Sequence, residues 1–163
     1  MRAPSPDFLA LLEVLVKHGP DFIIVGGVSA VLHGAPITTF DLDLVHSRAP
    51  DNIERLLSAL QDLGAYYRGQ GERRLKPDRT HLNSSGHQLL MTSFGPLDLL
   101  GTIGVHRSYA DLLEHTTEMQ VGGLRLHVLN LETLIAIKEE VGHEKDRAAL
   151  PILRRTLHEK EKE

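Results

Sequence analysis

The sequence predicts a single α+β domain, with strands and helices mixed along one chain. Three observations lead there. Apolar residues recur at helical spacing near the start of the chain and again at Ile53, Leu56, Leu57 and Leu60. Between and after these helices lie short β-branched or alternating runs, "FIIV" and "TFDLDLV" among them, bounded by glycine and proline. The 163 residues, 41% of them hydrophobic, are enough for one sizeable core, and no linker or internal repeat divides them. The expected extent is one domain over residues 1–158 with a frayed tail over 159–163.

Ser5 and Pro6 open the first helix as N-cap and first helical residue; Phe8, Leu11, Leu12 and Leu15 follow at its spacing, and Gly19-Pro20 stops it. Residues 22–25 read as a central strand ending at Gly26-Gly27. A short helix is expected from Ser29 to His33, with His33 helping to end it before Gly34. Residues 39–45 alternate and predict the second strand. The clearest helix covers 49–64, with Pro50 near its start and Gly64 past its end. Residues 65–81 are polar and basic without a period, which predicts a loop with short strand pieces, a candidate lid. Residues 87–93 and 97–100 form hairpin arms around Phe94-Gly95-Pro96. A short helix over 108–115 precedes a second hairpin, 118–129, turning at Gly122-Gly123. Asn130 then caps a helix that ends at Gly142. The last segment is helical in pattern, and Pro151 is expected to kink or restart it.

Composition excludes several kinds of chemistry. With no Cys, the chain makes no disulfide, thiolate nucleophile or cysteine-based zinc or iron–sulfur site, so any metal must sit on oxygen or imidazole. The ten histidines include no His-x-His or His-x-x-x-His pair, which argues against zinc. A net charge of −4 and the absence of Trp argue against a general nucleic-acid surface or a base-stacking platform. No apolar run approaches the roughly 18 to 20 residues that cross a bilayer, and the N-terminus has no secretory pattern. A cytoplasmic location with no membrane partner is therefore expected. Neither a Gly-x-x-x-x-Gly-Lys-Ser/Thr loop nor a Gly-x-Ser-x-Gly elbow occurs.

The chemistry concentrates in "IIVGGVSAVLHGAPITTFDLDLV", residues 23–45. Residues i and i+2 of a strand share a face, so Asp41 and Asp43 lie about 6.5 to 7 Å apart at Cα. At an effective dielectric near 20 their repulsion is about 2 to 3 kcal/mol, which a divalent cation would reverse. Taken alone, the pair equally fits two solvent-facing charges at a strand edge. The Gly26-Gly27 bend shifts the balance, because bare backbone there can approach an anion and the following helix start offers free N–H groups. Ser29 adds a hydroxyl. Asp98, in the arm "LDLL", completes a set of three carboxylates if that arm lies beside the Asp41 strand, and would then also take the acceptor's proton.

These residues resemble the nucleotidyltransferase-fold superfamily, in particular the minimal nucleotidyltransferases and the abortive-infection-type enzymes. The likeness rests on "VGGVSAVLHG", "TTFDLDLV" and "PLDLL", and more loosely on "LNLETLIAIKEEVGHEKD". It implies a nucleotidyltransferase-like fold, a mixed β-sheet flanked by helices, and transfer of a nucleoside monophosphate from an NTP to an acceptor hydroxyl with release of pyrophosphate. By the same likeness Gly26, Gly27 and Ser29 would bind the triphosphate and Lys138 would contact the nucleotide. Asp41, Asp43 and Asp98 would hold two Mg²⁺ ions and carry the catalysis. The chain departs from the pattern at Ile37, where many relatives have a basic residue, and at Gly27, where many have Ser. Closure of Arg73, Arg74, Lys76 and Arg79 over the nucleotide would compensate, while Lys145-Asp146 reads as a surface charge pair. The acceptor is left open among protein, RNA and small molecule, and a partner protein or second copy would complete its site. A non-catalytic nucleotide- or partner-binding module of the same fold, such as a toxin–antitoxin component, is the rival reading.

Overall fold

In a computed structural model of the chain, which describes residues 6–162, the elements follow the expected alternation. They are α1 (Phe8–His18), β1 (Phe22–Val25), α2 (Gly26–Leu32), β2 (Leu42–His46), α3 (Pro50–Asp62), β3 (Tyr66–Tyr67), α4 (Arg79–Asn83), β4 (His87–Thr92) and β5 (Gly95–Leu100). A two-stranded ribbon, β6 (Thr102–Ile103) and β7 (Arg107–Ser108), leads to α5 (Tyr109–Leu112) and a 3₁₀ turn. The hairpin β8 (Thr116–Val121) and β9 (Leu124–Leu129) and the helices α6 (Leu131–Val141) and α7 (Glu144–Glu161) follow.

Seven strands form one mixed sheet in the order β3-β4-β5-β2-β1-β9-β8. β1 is antiparallel to β2 but parallel to β9, and β2 is parallel to β5. Alternation along each strand divides the core in two. Phe22, Ile24, Leu42, Leu44, Leu97 and Leu99 face the layer made by α1 and α3. Ile23, Val25, Val45 and Leu100 face the opposite layer, with residues of α2, α6 and α7. Leu42 and Leu44 therefore anchor β2 from beneath while Asp43 points to the other side. No helix among the described residues is long and apolar enough to cross a membrane.

Several boundaries differ from those the sequence suggests. Asp7 caps α1, accepting from the Ala10 N–H at 3.0 Å, and Ser5 lies outside the described residues. The second helix starts at Gly26 rather than Ser29, because the Ser29 hydroxyl bonds back to the Gly26 carbonyl at 2.6 Å inside the first turn. His33 ends that helix as expected. The second strand starts at Leu42 rather than at 39; its ladder to β1 closes at Val25–Asp43, beyond which β1 has turned into α2. Pro151 does not interrupt α7, and the helix runs on through 159–161, where fraying was expected. Leu150 and Leu153 bury on either side of the exposed proline, and Lys160 is tied to the His33 ring, so packing holds the helix across both weak points.

Candidate active site

β2 and β5 lie side by side with Asp43 and Asp98 as direct register partners. Neighbouring strands are about 4.8 Å apart, so two carboxylates share one spot on the sheet, on the face opposite Leu42 and Leu44. Asp43 Oδ1 and Asp98 Oδ1 are both sealed from solvent, and neither accepts a hydrogen bond. Burial, followed by the negative charge of Asp98 and of Asp41, pushes the Asp43 carboxyl up to about 7, while Lys145 opposes the shift.

Asp43 and Asp41 open into a cavity of about 470 Å³. Its floor is the bare backbone of Gly26 and Gly27, one wall is the segment from Ile37 to Phe40, and the other is formed by Lys138 of α6 and Lys145 of α7. Both glycines are dictated by close approach. Gly26 sits at φ +66, and a Cβ there would overlap the Asp43 carboxylate; a Cβ on Gly27 would stand 2.7 Å from Thr39 Oγ1. The bend is thus pressed directly against the acidic strand.

Of the residues singled out from sequence, Gly26, Gly27, Asp41, Asp43 and Lys138 line this cavity. Asp98 is beside Asp43 but not in the cavity wall. Ser29 is a correction: it is fully buried and its hydroxyl is committed to the Gly26 carbonyl, so it braces the bend and does not face the cavity. The lid expectation is also corrected. Arg79 pairs with Glu54 of α3, Arg74 stacks 4.4 Å above the Tyr66 ring, and Lys76 lines a separate hollow against Leu57 and Leu60. Neither they nor Arg73 line the Asp41–Asp43 cavity.

The charge pair at 145–146 is rearranged too. Asp146 pairs with Lys138 at 3.2 Å, and Lys145 is turned to the cavity. Its signal was present in the sequence: Lys145, Ala149 and Leu153 fall at i, i+4 and i+8, one stripe of a helix, and all three line the wall. A second missed residue is Arg68, just after β3. Its Nη1 donates to the Leu90 carbonyl at 2.6 Å and forms an ion pair with Asp98 Oδ1 at 2.8 Å, without the alignment of a hydrogen bond. Only the β3–β4 pairing, a long-range fact, brings it there.

The donor set fits a divalent cation. A sealed Asp43 oxygen without a partner, on a carboxyl pushed up to about 7, is a group that positive charge would satisfy. Asp43, with Asp41 next to it at the cavity, is where such an ion fits. Among the described residues no three His, Asp or Glu side chains converge closely enough to cage a metal by themselves.

The mixed sheet with helices on both faces is shared with solved nucleotidyltransferase structures, and the chain has that fold. A Thermotoga maritima protein described as a nucleotidyltransferase superposes with a TM-score of 0.58 at 14% identity, covering 93% of each chain. The lincosamide antibiotic adenylyltransferase LnuA, solved with lincomycin bound, gives 0.59 at 11% identity over 90% of this chain and 94% of its own. The antibiotic-resistance factor ANT(2'')-Ia gives 0.56 at 14% identity over 94% and 86%. No family model and no curated protein matches the sequence.

Proposed function

We propose that the protein is a Mg²⁺-dependent nucleotidyltransferase, moving a nucleoside monophosphate from an NTP to an acceptor hydroxyl. The observation that carries this reading is the in-register Asp43–Asp98 pair, with one Asp43 oxygen sealed from solvent and unpaired, beside a cavity floored by bare glycine backbone and walled by two lysines. The cavity takes the triphosphate. Gly26 and Gly27 let its oxygens approach the backbone, and Lys138 and Lys145 offset its charge. Asp41 and Asp43 would hold the divalent ion, which would supply positive charge against the phosphoryl oxygens. The acceptor oxygen bonds to the α-phosphorus as the bond to the bridging oxygen of the β-phosphate breaks, and pyrophosphate leaves. Asp98, on the side of the pair away from the cavity, receives the hydroxyl proton. Most of the rate enhancement then comes from positioning and fixed charge.

Ile37 packs against the apolar core, so the basic residue of the familiar pattern has no counterpart at that position; Lys145 answers for it from α7. The nature of the neighbours makes a small hydroxylated compound an acceptor class to test first, because LnuA and ANT(2'')-Ia are both antibiotic-modifying or antibiotic-resistance proteins. The experiment is incubation with α-labelled NTPs and Mg²⁺, offering lincosamides, RNA and the protein itself as acceptors, beside an Asp41→Ala/Asp43→Ala control. Label transfer that the control loses is the expected result. Nucleotide binding without transfer to any acceptor would instead assign the chain to the binding-module reading.

A further inference from the structure

We propose that Arg68 is a resident cation standing where a second divalent ion would otherwise bind, so that the site works with one metal ion rather than two. This rests on the nucleotidyltransferase reading of the same site. Three observations carry it. Asp98 is the register partner of Asp43 but does not line the cavity that Asp41 and Asp43 share, and among the described residues no three carboxylates form a ready metal cage. The Arg68 guanidinium lies 2.8 Å from Asp98 Oδ1 and supplies positive charge on the side of Asp98 away from Asp43. And it is fixed there: its Nη1 donates to the Leu90 carbonyl at 2.6 Å, its backbone N–H extends the ladder to the Leu89 carbonyl at 3.0 Å, and its side chain is only 25% exposed.

The electrostatics separate the two carboxylates. Asp98 already has a partly buried counter-ion, and a monovalent guanidinium held by two anchors cannot leave without exposing both a carbonyl and a carboxylate to an unpaired state. Asp43 has no cation in contact with its buried oxygen. A divalent ion therefore meets an unmet demand at Asp41 and Asp43, and a competitor at Asp98. Arg68 is thus a positioning residue: it fixes the Asp98 carboxylate and keeps it out of the metal's coordination shell.

Mn²⁺ paramagnetic resonance tests this with the full chain and α,β-methylene-ATP, a non-hydrolysable probe. Two Mn²⁺ ions in one site lie about 3.5 to 4 Å apart and give a spin-coupled signal, whereas one ion does not. Wild type and Arg68→Lys are expected to bind a single uncoupled ion. Arg68→Gln is expected to take up a second, coupled ion, and Arg68→Gln/Asp98→Asn to lose it again. A coupled pair in wild type, or no second ion in Arg68→Gln, overturns the proposal. If Arg68→Gln does not fold, Asp98→Asn in the wild-type background decides: unchanged Mn²⁺ affinity supports the proposal and a tenfold loss, about 1.4 kcal/mol, overturns it. No protein-bound Mn²⁺ in wild type, with Asp43→Asn indistinguishable from it, would instead show that the underlying reading of the site has failed, and the proposal with it.

Discussion

Asp43 is the residue on which folding and chemistry pull in opposite directions. Burial and two neighbouring carboxylates raise its pKa to about 7, so the metal-free protein favours its protonated form. Below about pH 4 the folded and unfolded chains both hold this proton. As pH rises, the unfolded chain releases it first, and stability from this group is lost progressively until the folded carboxyl also ionises near pH 7. The shift corresponds to at most about 4 kcal/mol. Calorimetric unfolding without metal should show Asp43→Asn gaining on wild type by about 2 to 4 kcal/mol between pH 4 and 8; parallel curves would mean that Asp43 is ionised throughout. Mg²⁺ should reverse the relation. A metal ligand must be deprotonated, so Mg²⁺ should raise the wild-type melting temperature more at pH 8 than at pH 5 and leave Asp43→Asn unmoved.

At the scale of elements, the geometry depends on how tightly the start of α2 is pressed onto the segment leading into β2. Gly27 has an ordinary backbone conformation, so an alanine there is excluded by contact alone, with Thr39 Oγ1 at 2.7 Å and Thr39 Cβ at 3.0 Å from the added carbon. Thr39 in turn donates to the Asp41 carbonyl at 3.2 Å, so displacing it moves Asp41. Gly27→Ala should cost about 1 to 3 kcal/mol and weaken Mn²⁺ binding, and Thr39→Ala should restore part of both in a double-mutant cycle; strict additivity would show that the two do not touch. This contact was half legible in the sequence. The diglycine, the Asn130 cap and both hairpins are local patterns, and the structure contains each of them, whereas of the Asp-x-Asp pair only Asp43 lies in the strand. What sequence could not show was set by partners far along the chain. Ser29 faces its own helix, the basic loop packs toward α3 and Tyr66, and Arg68 reaches Asp98 only because β3 pairs with β4. Residue type announced chemistry; its direction needed the sheet order.

For the whole molecule, the decisive asymmetry is that the two faces of the sheet are not equally covered. α1 and α3 pack under the strands from β4 to β9, whereas α2, α6 and α7 draw their core contacts from β1, β2, β9 and the end of β5. Over β4 the second face stays open: Leu89, the register partner of Asp98, is 46% exposed, and His87 beside it is exposed. Asp43 and Asp98 thus stand at a border, with the lysine-walled cavity on one side and, past the Arg68 guanidinium paired with Asp98, the exposed strand surface of β4 on the other. Two reactants that must meet in line at one phosphorus need two such approaches, and in-line geometry forbids both from using the same one. Under the proposed function the nucleotide would come from the α6–α7 side and the acceptor from the β4 side. Lys145→Ala should weaken NTP binding about tenfold, roughly the 1.4 kcal/mol expected for one partly exposed charge contact to phosphate, and leave the acceptor KM unchanged. Leu89→Glu should do the reverse, changing the acceptor KM by altering the shape and charge of its approach while calorimetry finds the NTP affinity of wild type. If Leu89→Glu weakens NTP binding as strongly as Lys145→Ala does, the nucleotide crosses the border and the two-sided arrangement is wrong.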